Sequence, residues 1–349
     1  MLEIVKAEIL KSIESKNWEL AHRRALEEKE KLKQEEVFLV KIAELFLANG
    51  LWKSSLDLFS LVENESQLGW NPNYRKAMIY NLGIVKAHEI LPSVSRYQIA
   101  KKSLGLSKIE MFENKRFLFV SGMPRSGTTA FGDLLNIVDD MKLFIELGNE
   151  FMPFSPYDFS NSVLPTLVKW SGQERNASIL EKTDYKVIGD KRPYFFMNLP
   201  HFLTNFESQD FKVFHIVRNI FEVAYSYQMR ANNSSDKLWD ASKGVTQCMH
   251  EINLMMQYFT SAEFQPYKNK VSFVDYSQVL SDREYFLNLM ESENVAVVNS
   301  NSSEMNGFFQ KSKNRKSKVI PEEFKEHVKS LVDHKALDKF EELIGFSTH

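Results

Sequence analysis

Residues 117–129, FLFVSGMPRSGTT, constrain the fold of this chain more than any other stretch. A short apolar run with no helical period leads into Gly122 and a tight loop. Gly127 and two threonines then open an amphipathic helix, TTAFGDLLNIV. This is the order needed for a buried strand, a phosphate-cradling loop and a helix start. Gly122 and Gly127 permit positive φ and close approach of backbone to a ligand. The N–H groups of Ser126, Gly127, Thr128 and Thr129 would then face an anion, with the positive end of the helix dipole behind them. The spacing Gly122–x4–Gly127 is that of a Walker A loop, but Thr128 stands where the lysine should be. The cation lies inside the loop, at Arg125. Without the lysine that reaches the β- and γ-phosphates, a nucleoside triphosphate is a poorer fit.

Further short apolar runs follow at YKVIG (185–189), FKVFHIV (211–217) and VSFVDY (271–276), each succeeded by loop or helix signals. Strands alternating with helices predict an α/β domain with a mainly parallel sheet flanked by helices. Strands buried on both faces read as nearly continuous apolar runs. Residues 1–108 differ. AHRRALEEKEKLKQ and EEVFLVKIAELFLANG place apolar residues at helical spacing, and Gly50 closes the second run as a helix-ending glycine would. The expected organisation is an all-α helical-hairpin domain over 1–108 followed by the α/β domain over 115–349. Trp18 and Trp52 each open a helix-like segment, with the spacing 52 − 18 = 34. Such a period resembles the tetratricopeptide repeat; an irregular helical bundle fits the same residues. Either form could bind a protein partner or a second copy of the chain.

The chain has 349 residues and is 43% hydrophobic and 26% charged, an ordinary balance for a globular protein with a sizeable core. Its 27 Phe predict a core rich in rings. A net charge of −2 gives no global field for nucleic acid or anionic lipid, so any anion site must be built locally. The lone cysteine, Cys248, excludes an internal disulfide, suits a reducing compartment and reads as a small buried residue. The N-terminal MLEIVKAEILKSIESKNWEL is neither a secretory signal nor a membrane span, and no later stretch is long and apolar enough to be one. A soluble, cytoplasmic protein is expected. The eight His and one Cys show no ligand-type spacing, so no metal is expected.

PRSGTT after a strand resembles the 5′-phosphosulfate loop of the sulfotransferases that use 3′-phosphoadenosine 5′-phosphosulfate (PAPS). A second segment, VFHIVRNIFEVAYSYQMR (213–230), resembles the same family's 3′-phosphate motif. There an arginine at a strand end is followed by a serine on the next helix, and here Arg218 and Ser226 have the spacing 226 − 218 = 8. Arg230, one further turn along, is similar to an arginine of the tyrosylprotein-type and bacterial members. Ile220 departs from the pattern, which often has proline there. GDKRPYFF (189–196) resembles a third motif and matches Lys191 to the lysine that approaches the transferring sulfonate. VSFVDYSQVLSD resembles a fourth and places Tyr276 near the adenosine. The resemblance covers roughly residues 115–345 and implies the P-loop NTPase-like sulfotransferase fold. The implied donor site comprises Arg125, Ser126, Gly127, Thr128, Thr129, Arg218, Ser226, Arg230 and Tyr276.

The activity so implied is in-line transfer of a sulfonate to an acceptor hydroxyl, with a carboxylate general base and no metal. Arg125 and Lys191 suit stabilisation of the developing charge. The favoured base is Glu146 in KLFIELGNEF, which follows Arg125 at the spacing 146 − 125 = 21. In tyrosylprotein-type members a glutamate at the matching place is the proposed base. Glu150 competes, and His201 is an alternative, whereas His215 lies within a strand and reads as a core residue. In FFQKSKNRKSKVIPEEF (308–324), Lys313 and Lys316 resemble basic residues of a late flexible loop that closes over the 3′-phosphate. The acceptor is left open among sugar, protein tyrosine, phenol, lipid and polyketide alcohols. The aromatic stretch within 151–180 is a candidate acceptor wall, and core packing explains it equally. Two other classes stay in view: a P-loop kinase or nucleoside triphosphatase, and a non-catalytic helical adaptor with a vestigial nucleotide site.

Overall fold

Five apolar runs form one wholly parallel sheet in the computed structural model. They are β1 (Arg116–Gly122), β2 (Met141–Ile145), β3 (Val187–Lys191), β4 (Phe211–Val217) and β5 (Val271–Asp275), in spatial order β2-β3-β1-β4-β5. Residues 2–63, 68, 71–91, 115–148, 154–206, 210–236, 239–240, 242–295, 302–314 and 319–349 are described. The chain divides into two units, Met1–Pro92 with Ala231–Lys243, and Ser93–Arg230 with Gly244–His349. The junction expected between residues 108 and 115 falls on 92–114, outside the described residues.

The sheet belongs to the second unit. β1 is central, with Val120 opposite Lys191 of β3 on one side and Phe214 of β4 on the other. From β1 the chain crosses to β2 at one edge, and from β4 it crosses to β5 at the other. The strand order therefore reverses between β1 and β4, which opens a crevice at their carboxyl ends where ligands of open α/β sheets bind. Alternation along β1 divides the core. Leu118 and Val120 join Phe214, Ile216 and Val274 under helices Thr128–Asn136, Tyr276–Ser281, Arg283–Ser292 and Ser303–Lys313. Phe117 and Phe119 pack edge-on against Phe159 and Phe206, and Phe119 also against Phe195 and Phe202. Each such buried ring stabilises the fold by about 1.5–3 kcal/mol.

Strand β3 begins two residues later than the run YKVIG suggests and extends through Asp190 and Lys191, both buried. At Gly189 an added Cβ would lie 1.6 Å from the Leu118 carbonyl oxygen, so only glycine allows β3 this close to β1. Among the described residues, no helix is long and apolar enough to cross a membrane.

In the first unit, helices Leu2–Glu14 and Glu36–Ala48 start at positions that differ by 36 − 2 = 34 and end at positions that differ by 48 − 14 = 34. Trp18 and Trp52 open the helices that follow each. Trp18 packs edge-on against Phe46 with ring centroids 5.2 Å apart, and Trp52 does so against Tyr80 at 5.4 Å. Phe46 and Tyr80 repeat the same spacing, 80 − 46 = 34. One contact thus recurs one period later.

Candidate active site

The loop after β1 is built around two places where a side chain would collide. A Cβ on Gly122 would lie 2.6 Å from Ser126 Oγ and 2.9 Å from the Ile216 carbonyl oxygen. Gly127 has φ +97°, and a Cβ there would lie 2.1 Å from Cε2 of Tyr276. Arg125, between them, also has positive φ (69°), a conformation rare outside glycine. Helix Thr128–Asn136 begins immediately, and among the described residues no side chain caps its first N–H groups. These groups are the unsatisfied donors on which anions bind. Ser126 is 1% exposed and its Oγ has no hydrogen-bond partner among the described residues. Buried hydroxyls are nearly always paired. An orphaned hydroxyl beside uncapped amides therefore fits the oxygen of an anion such as a phosphate.

The second segment meets this loop. Arg218 follows β4 directly, and Asn219 Oδ1 accepts from the N–H groups of Phe221 and Glu222, starting helix Ile220–Ala231. Arg125 Nε donates to Ser226 Oγ at 3.0 Å, and Arg218 Nη1 donates to the Arg125 carbonyl at 2.9 Å. The Arg218 guanidinium lies over the Tyr276 ring at 4.4 Å. Tyr276 opens the helix after β5 and fills the space beside Gly127. Four residues from three separate motifs are thereby joined. Ile220 has its own use here: its N–H donates to the Thr348 carbonyl at 2.7 Å, a bond that proline could not make.

At the edge of the sheet, with β3 between it and β1, β2 ends at Ile145 and the chain turns through Glu146, which has φ +56°. A β-carbon-bearing residue holds this conformation only where its surroundings impose it. Three contacts do so. Asn176, fully buried, accepts from the Ile145 N–H through Oδ1 and donates to the Ile145 carbonyl through Nδ2, each at 2.8 Å. The Glu146 N–H donates to the Lys191 carbonyl at 2.9 Å. The Leu147 N–H donates to Asp190 Oδ1 at 3.2 Å. Lys191 Nζ donates to Glu146 Oε1 at 2.5 Å; the lysine side chain is 1% exposed and the glutamate 39%. Burial pushes the Asp190 carboxyl up to about 7, opposed by the Arg192 guanidinium at 3.2 Å and the Leu147 N–H.

A family model described as "Sulfotransferase domain" matches residues 115–343. The chain belongs to the sulfotransferase family. Solved structures similar to this sulfotransferase include sulfotransferase STF9 from Mycobacterium avium, at 12% identity and a TM-score of 0.43, over 86% of this chain and 95% of that one. The sulfotransferase domain of the Synechococcus PCC 7002 olefin synthase is 13% identical with a TM-score of 0.38, over 64% and 97% of the two chains. The sulfotransferase domain from the curacin biosynthetic pathway is 12% identical with a TM-score of 0.37, over 67% and 99%. No curated protein matches the chain by sequence.

The sulfotransferase's other candidates fall in varied places. Arg230 lies one turn beyond Ser226 on the same helix, and Thr128 and Thr129 occupy the first turn of helix Thr128–Asn136. His215 is buried between Ser121 Oγ at 3.2 Å and Met255 Sδ at 3.1 Å, and burial lowers its pKa to about 3, so it stays neutral. His201 sits on helix Phe195–Asn205. Glu150 and Lys316 lie outside the described residues. Lys313 is not in a loop: it ends helix Ser303–Lys313, which Ser302 caps and Phe309 anchors in the core. Of the supposed acceptor wall, Phe154 and Phe159 belong to the ring core, because both are buried against each other. Sequence reasoning missed Asn176, Asp190 and Glu222. Only Glu222 left a signal, its position four residues after Arg218 on the expected helix.

Proposed function

We propose that this sulfotransferase binds PAPS across the β1–β4 crevice and transfers its sulfonate to an acceptor hydroxyl, using Glu146 as general base. The observation that carries the reading is the direct bonding of Arg125, in the loop after β1, to Arg218 and Ser226, in the segment after β4. A nucleotide phosphorylated at both 5′ and 3′ positions needs two anion sites side by side, and these are their residues. The N–H groups of Ser126 to Thr129 and the Ser126 hydroxyl would hold the 5′ end, Arg218 and Ser226 the 3′-phosphate, and Tyr276 the adenosine side. Bound there, PAPS supplies a sulfonate already activated by a phosphate leaving group.

The protein's own work is proton removal and charge stabilisation. Glu146 accepts the acceptor hydroxyl's proton at a carboxylate oxygen while Lys191 holds a positive charge against that carboxylate. With one N–H on Glu146 and no other partner among the described residues, the ammonium has two donors for oxygens that gain charge. The constrained turn at Glu146 keeps the base from swinging out of line, the kind of positioning on which such transfers depend. Sugar, tyrosine, phenol or lipid alcohols all present the hydroxyl required. The recurrence of helix pair and ring contact in the first unit supports a tetratricopeptide-like array suited to a protein partner, and the chain is assigned to the cytoplasm.

Thermal shift with 3′-phosphoadenosine 5′-phosphate against ATP–Mg²⁺ tests the donor. At a hundredfold excess over Kd a ligand stabilises by about 2.7 kcal/mol. A shift with the bisphosphate alone is expected; a shift with ATP–Mg²⁺ alone would put a kinase in its place.

A further inference from the structure

Glu222 faces the group assigned to the 3′-phosphate, although a carboxylate repels a phosphate. Its Oε2 accepts from Arg218 Nε at 2.7 Å and pairs with Nη2 at 2.6 Å. The Arg218 Nη1 bond to the Arg125 carbonyl and the Tyr276 ring under the guanidinium hold the remaining sides. Of the five N–H groups of a guanidinium, three are thus used among the described residues, which leaves one on each terminal nitrogen for phosphate oxygens. The Arg218 side chain is 23% exposed and that of Glu222 is 32% exposed, so without the carboxylate the long arginine could swing into solvent.

We infer that Glu222 is a positioning residue that locks Arg218 in the orientation selective for a 3′-phosphate. The inference rests on the PAPS reading and adds to it the source of nucleotide selectivity. A group already held in its bound orientation loses less freedom when the ligand arrives. This orientational gain outweighs the repulsion between the carboxylate and the phosphate. Glu222 touches no ligand in this scheme and acts only through Arg218.

The test measures Kd by calorimetry for 3′-phosphoadenosine 5′-phosphate and for 5′-AMP, which lacks the 3′-phosphate. Glu222→Ala is expected to weaken the bisphosphate about tenfold and leave 5′-AMP unchanged. Glu222→Gln, which keeps an acceptor oxygen, is expected to recover most of that loss. In an Arg218→Ala background, Glu222→Ala should no longer weaken the bisphosphate; with the repulsion gone it should bind equally or slightly tighter, and 5′-AMP should be unchanged. Equal or tighter bisphosphate binding by Glu222→Ala would make Glu222 a mere competitor, and equal losses for both nucleotides would make it structural; either overturns the inference. Failure of the wild-type protein to prefer the bisphosphate over 5′-AMP would instead remove the PAPS reading, and this inference with it.

Discussion

Replacing Gly127 with alanine tests the geometry on which the donor site depends. At φ +97° the new residue pays the left-handed penalty of about 1–2 kcal/mol. Its Cβ would also lie 2.1 Å and 2.4 Å from two carbons of the Tyr276 ring, far inside contact distance. The ring must leave its rotamer, at about 0.5–1.5 kcal/mol. It also leaves the Arg218 guanidinium, at about 0.5–2 kcal/mol. The expected loss is roughly 2–5 kcal/mol. Urea denaturation monitored by circular dichroism measures it. The double variant Gly127→Ala/Tyr276→Ala removes the collision but not the backbone penalty. Relative to Tyr276→Ala alone it should lose only about 1–2 kcal/mol. A Gly127→Ala protein within about 0.5 kcal/mol of wild type would refute the close packing of tyrosine on glycine.

His215 gives a pH signature. Its folded pKa of about 3 lies below the unfolded value of 6.5, so its contribution is present above pH 6.5 and is lost as pH falls through 3. The full effect is about 5 kcal/mol, and His215→Gln should flatten the acid limb of stability; unchanged slopes would contradict a neutral buried ring. Asn176→Ala strands the buried N–H and carbonyl of Ile145 and should lower stability by about 2–5 kcal/mol in urea. A loss under about 1 kcal/mol would mean water reaches that edge. Glu146→Gln should leave bisphosphate affinity unchanged while slowing PAPS turnover roughly 10²–10⁴-fold with any accepted hydroxyl. Full activity there, with loss in Glu150→Gln, would move the base four residues on.

The elements legible in the sequence are those fixed by local chemistry. Strand β4 coincides with the run FKVFHIV because six of its seven residues are buried and its one charged residue, Lys212, is half-buried. The phosphate loop announced itself through two glycines, each facing a neighbour that would collide with a Cβ. The repeat spacing of Trp18 and Trp52 was visible because the same ring contact is made twice. Strand β3 was cut short because Asp190 and Lys191 look like loop residues until Arg192 and Glu146 are folded against them. The positive φ of Glu146 carried no local mark, since no glycine or asparagine stands there and the conformation is imposed from residues 176, 190 and 191. Phe154 and Phe159 were undecidable because a ring lining a pocket and a ring in a core have the same sequence.

Asn176 has one more consequence. β2 is an edge strand, and edge strands invite other chains to pair with their free backbone groups. At Ile145 a side-chain amide already occupies that place, imitating both bonds of a missing neighbour. On the proposal that Glu146 is the base, a polypeptide acceptor cannot reach it by lying down as a sixth strand past Ile145 and would have to deliver its hydroxyl from above the sheet's carboxyl edge.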